Sequence, residues 1–68
     1  MLKIGERIRM ARLEKGIAQE RLGEILGVKQ NAVSQWETGR CEPSADMIRQ
    51  IAIALDCSGD FLLDLENR

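Results

Sequence analysis

A chain of 68 residues and 7.7 kDa, 44% apolar, with net charge −1, two cysteines and no histidine, holds one domain at most. A chain this short hides only about 60% of the surface its unfolded form exposes, so it needs densely apolar short elements or a staple. No apolar run approaches the ~20 residues of a membrane span, and nothing resembles a signal peptide, so a soluble cytoplasmic domain is expected. Cys41 and Cys57 form no CxxC pair and have no histidine to complete a zinc set, which argues against a structural metal; a lone disulfide stays open, with reduced thiols favoured. Cys57 borders an apolar stripe, whereas Cys41 sits in a polar loop and is expected to be exposed. Without histidine, a carboxylate pair with a base partner, or a glycine-rich phosphate loop, an enzyme is the least favoured class and no cofactor is expected.

Apolar periodicity gives five short helical segments and no strand-like alternation. Ile4, Ile8 and Ala11, with Leu13 near the end, mark a first helix that Lys15-Gly16 closes. Leu22, Ile25 and Leu26 mark a second, stopped at Gly27, and Val33 and Trp36 mark a third from about Gln30 to Glu37, ended by Thr38-Gly39. Past the loop Arg40-Cys41-Glu42-Pro43, Ser44 caps a fourth helix with Asp46 in its first turn and a stripe of Met47, Ile48, Ile51, Ala52 and Leu55. Ser58 and Asp60 repeat the capping pattern before Phe61, Leu62 and Leu65, which predicts a fifth helix.

The near-neutral charge is a cancellation. Residues 1–40 carry eight Lys/Arg against five Asp/Glu, and residues 41–68 carry two against six. A basic front on an acidic chain is compatible with phosphate binding, because electrostatic footprints are local; on charge alone, ordinary solvated faces are the simpler account. Gln19 to Trp36 then reads as a helix, a turn opening with Gly27-Val28, and a second short helix, with Val28 and Val33 plugging the junction against Leu22 and Ile25. The wet face of that second helix carries Gln30, Asn31, Ser34 and Gln35. Glutamine and asparagine present a donor beside an acceptor, which matches the N6 and N7 edge of adenine; equally, amides are common on solvated helices. Trp36 falls in the apolar stripe with Val33 and is read as core, not as a base-stacking platform.

The run Ile4-Gly5-Glu6-Arg7-Ile8-Arg9, Arg12, Gly16, Gln19, Leu22, Gly27-Val28, Val33-Ser34-Gln35-Trp36-Glu37, Gly39, Glu42-Pro43, Ala52, Leu55 and Phe61-Leu62-Leu63 resembles the Cro and phage-repressor family of helix-turn-helix domains, most of all the N-terminal domains of lambdoid phage repressors. The resemblance covers nearly the whole chain. It implies a single domain over 1–68, all-α, a compact five-helix bundle whose second and third helices form a helix-turn-helix at about 19–37. It further implies a DNA-binding regulator, encoded by a bacterium or phage and most readily a repressor, whose helix at about 30–37 lies in the major groove of a two-fold related operator. Gln30, Asn31, Ser34 and Gln35 would face bases, while Gln19, Thr38 and Arg40, with Lys29 added, would hold phosphates. Arg12 and Glu37 match positions of a structural ion pair.

The implied assembly is a homodimer, weak without DNA, with subunit contacts or core packing from Phe61, Leu62 and Leu65. Rival readings are an antitoxin that also binds its operator, with a protein partner on the acidic C-terminal half, and a protein-interaction adaptor of the same fold. Departures from the family pattern carry physical costs. Ala18 and Lys29 stand where Ser or Thr commonly caps the second and third helices, each loss worth ~1 kcal/mol, and Lys29 sets a positive charge at a positive helix end. Gly23 replaces the usual alanine at a further ~1 kcal/mol unless it permits close approach. Asn31, in place of an apolar residue, implies a different base preference.

Overall fold

The computed structural model describes residues 3–57 and 61–62. Four helices lie among them: α1 (Ile4–Lys15), α2 (Gln19–Leu26), α3 (Gln30–Thr38) and α4 (Ala45–Ala54). The count is therefore four, not the five expected. Of the expected fifth helix only Phe61 and Leu62 are described, both helical, and the remainder lies outside the described residues.

Helix ends follow the sequence closely. Gly16, Gly27 and Gly39 take left-handed φ of 77°, 76° and 83° and terminate the first three helices, a conformation that a Cβ disfavours. At the other end, Ser44 caps α4 by accepting from the Met47 amide at 3.1 Å. The residues preceding α1, α2 and α3, namely Lys3, Ala18 and Lys29, make no side-chain cap. The first amides of these helices are left to solvent or to a ligand. Ala18→Ser is accordingly expected to raise stability by ~1 kcal/mol, or about 4–8 °C in a domain of this size. A thermal melt reads this directly, and an unmoved midpoint would mean that those amides already find acceptors.

Ile8, Leu22, Val33, Ile51 and Leu62 are fully buried, and Trp36, Leu55, Ala11 and Ala52 complete the core around them. Trp36 is thus a core residue. Two apolar positions depart from expectation. Leu13, 53% exposed, falls two residues beyond Ala11 and hence on the opposite side of the helix. Ile25, 45% exposed, sits outside the core cluster, so the junction between α2 and α3 is filled by Leu22 and Val33 with Val28 packed against them. Of the two cysteines, Cys41 is exposed and Cys57 half-buried. No helix among the described residues is long and apolar enough to cross a membrane.

Two glycines permit close approach of backbones. A Cβ on Gly23 would stand 2.7 Å from the Val28 carbonyl oxygen, so the absent side chain lets the turn fold down onto α2 and close a 2.9 Å bond from the Val28 amide to the Gly23 carbonyl. This is the compensation for its low helix propensity. A Cβ on Gly5 would run into the carbonyl oxygen of Trp36 and stand 3.0 Å from that of Glu37. Here the start of α1 lies directly on the last turn of α3.

Candidate nucleic-acid interface

Two short helices joined by a tight turn expose one face of the second helix when the first is packed behind it. In α3 the apolar residues Val33 and Trp36 point inward, and Gln30, Asn31 and Gln35 are exposed, with Ser34 half-exposed beside them. A row of amide side chains on an otherwise small helix face can donate and accept side by side, which is the requirement for reading base edges.

The side chains behind this face are tied together. Arg12 donates from Nε to Glu37 Oε2 at 2.7 Å and from Nη2 to Oε1 at 3.1 Å, a bidentate pair whose side chains are only 8% and 2% exposed. The third arm of the guanidinium donates from Nη1 to the Ile17 carbonyl at 2.8 Å. Glu37 Oε1 also accepts from Gln19 Nε2 at 3.0 Å, and Gln19 Oε1 accepts from Gln30 Nε2 at 3.3 Å. A chain of hydrogen bonds therefore runs from α1 through the end of α3 and the start of α2 to the first residue of α3.

This network refines the site residues drawn from the sequence. Gln19, expected to hold a phosphate, is also an internal strut, and one Nε2 hydrogen and its backbone amide remain for an external acceptor. Thr38 is exposed, but its hydroxyl donates to the Gln35 carbonyl at 3.3 Å, so its proton reaches a phosphate only if the hydroxyl turns away. The same carbonyl accepts from the amides of Arg40 and Cys41 at 3.0 and 3.2 Å, which folds the chain back at the end of α3 and sets Arg40 beside it, exposed. Lys29 is exposed at the uncapped start of α3. Gly5 and the link between Gln19 and Glu37 escaped the sequence reading.

Helix, tight turn and outward helix, with an amide face and uncapped amides beside basic side chains, define a helix-turn-helix domain. A family model described as helix-turn-helix matches residues 8–62, and the chain belongs to that family. It is 43% identical over 60 residues to Repressor protein C2 of Salmonella phage P22, covering 88% of this chain and 28% of that protein. It is 37% identical over 62 residues to the HTH-type transcriptional regulator DicA of Escherichia coli, covering 91% of this chain and 46% of that protein. The chain thus spans between about a quarter and a half of the length of these curated relatives. Among solved structures, the P22 c2 repressor in complex with synthetic operator 9T in the presence of Tl+ matches with a TM-score of 0.89 at 39% identity, covering 97% of this chain and 100% of that one. The restriction-modification controller protein C.AhdI from Aeromonas hydrophila matches with a TM-score of 0.82 at 33% identity, covering 88% of this chain and 87% of that one.

Proposed function

We propose that this chain is a DNA-binding transcriptional regulator of the repressor type, acting in the cytoplasm, with α3 lying in the major groove of a two-fold related operator. The observation that carries this reading is the exposed amide row of α3 on a helix-turn-helix, together with the likeness to a repressor whose structure contains an operator. In this reading Gln30, Asn31, Ser34 and Gln35 face base edges. Gln19, Lys29 and Arg40 meet phosphates, and Thr38 joins them once its hydroxyl turns outward. The bare amides that open α2 and α3 are suited to phosphate oxygens, and a phosphate beside Lys29 relieves the positive charge at a positive helix end. The single domain over 1–68 and assembly as a homodimer complete the proposal.

Selection of bound sequences from random duplexes tests it. The expected outcome is an enriched motif with two-fold related halves, and no enrichment at low salt overturns the reading. Gln30→Ala is expected to weaken specific binding by ~1–3 kcal/mol and to relax preference at one base pair of each half-site, while nonspecific binding retains its salt dependence. A uniform loss across all sequences would instead place Gln30 on the backbone.

A further inference from the structure

The hydrogen bonds behind the amide face have a direction as well as a path. A side-chain amide has two unlike ends, an oxygen that accepts and an NH2 that donates, and turning it about its last bond exchanges them. Such a group takes its orientation from its partners. A carboxylate differs, because it only accepts. Both Glu37 oxygens already receive hydrogens from the Arg12 guanidinium, so Glu37 has no proton to give and any further neighbour must donate to it.

That requirement propagates to the reading face. Gln19 turns its Nε2 to Glu37 Oε1 at 3.0 Å, which leaves Gln19 Oε1 as the end that meets Gln30. Gln30 must then donate, and it does so from Nε2 at 3.3 Å. What remains on Gln30 for a base is one Nε2 hydrogen beside Oε1, a donor next to an acceptor. Adenine offers the complement in N7 and N6, whereas guanine offers two acceptors, N7 and O6. Were the relay reversed, Gln30 would accept through Oε1 and turn both hydrogens outward, the pattern that suits guanine.

We infer that Glu37 is a positioning residue for base choice: through Gln19 it fixes the polarity of the Gln30 amide and commits that side chain to adenine over guanine. The inference rests on the reading of α3 as a base-reading helix. The Glu37 side chain is 2% exposed, so it acts from behind the face and not by contact with DNA.

The experiment changes Gln19, because changing Glu37 would strand the buried Arg12 guanidinium and endanger the fold. Gln19→Lys keeps a donor toward Glu37 but, having donors only, offers a hydrogen to Gln30 Oε1 and reverses that amide. Gln19→Met is of similar length and offers neither donor nor a strong acceptor. Bound sequences are selected from random duplexes with the native chain and both variants, and circular dichroism verifies folding. The base pair read by Gln30 is the one whose preference is lost in Gln30→Ala. An altered grip on phosphate changes affinity for all sequences alike, so relative base preference is the readout.

At that pair the native chain is expected to favour A·T over G·C by at least about fivefold. Gln19→Lys is expected to shift the preference toward G·C by at least about fivefold, and Gln19→Met to narrow it, with the rest of the motif unchanged. A purely structural Gln19 would lower stability and leave the preference where it was. The native preference retained in Gln19→Lys overturns the inference, as does a native preference for G·C at that pair, and neither result touches the case for DNA binding. Only the absence of any motif from the native selection removes both.

Discussion

Arg12→Ala is expected to remove ~3–5 kcal/mol of stability, because it leaves the Glu37 carboxylate, 2% exposed, with only Gln19 as a hydrogen-bond donor among the contacts described. Stabilities of roughly 0.05–0.15 kcal/mol per residue give a chain of 68 residues about 3–10 kcal/mol in total. The variant is therefore expected to be largely unfolded at 37 °C, or to melt far below the native chain. Glu37→Ala is expected to be nearly as harmful, since it strands the guanidinium with the Ile17 carbonyl. The informative comparison is the double variant Arg12→Leu with Glu37→Leu, which removes both charges and keeps the space filled. Its loss is expected to be smaller than that of either alanine variant, because the cost of an unpaired buried charge has gone. Urea titrations of the three proteins check this, and a melting temperature unchanged in Arg12→Ala would show the pair to be dispensable.

Gly5→Ala is expected to destabilise although alanine is the better helix former. The gain from propensity is at most ~1 kcal/mol. Against it stands a Cβ driven into the Trp36 carbonyl oxygen and set 3.0 Å from that of Glu37, both backbone atoms that cannot rotate away. Overpacking of this kind costs ~1–3 kcal/mol, and here α1 must lift off α3 and take Arg12 with it. With the propensity gain set against the upper part of that range, the expected net loss is about 1–2 kcal/mol by urea titration with an unchanged m-value. A variant as stable as the native chain would show that the two helices have slack. Gln50→Ala, on the exposed side of α4, serves as the contrast and is expected to change stability by less than about 0.5 kcal/mol.

What the sequence made legible were features decided by neighbours along the chain. The stops at Gly16, Gly27 and Gly39, the Ser44 cap, the missing caps at Ala18 and Lys29, and the inward stripe of α4 are all local matters of backbone conformation and periodicity. Periodicity alone misjudged Leu13 and Ile25, because a helix of 8 to 12 residues turns only one face to its neighbours: Leu13 falls on the far side of α1 from Ala11, and Ile25 stands outside the core cluster. At the candidate interface, the exposure of Gln30, Asn31 and Gln35 was legible as the polar side of a short helix. The strut from Gln19 to Glu37, 18 residues apart, and the nesting of Gly5 on α3 were not, since both depend on how helices cross.

The chain of bonds that ends at Gln30 has a consequence for selectivity. A flexible side chain immobilised on binding costs ~0.5–1.5 kcal/mol in lost rotamers. Gln30 is already tethered to Gln19, Gln19 to Glu37, and Glu37 to Arg12, so part of that entropy is lost when the protein folds, before any ligand arrives. The tether uses one Nε2 hydrogen and leaves the second, with Oε1, as a donor and acceptor pair. If Gln30 reads bases as proposed, the salt bridge that holds the domain together also presets the reading side chain, and discrimination and foldedness would draw on one set of residues.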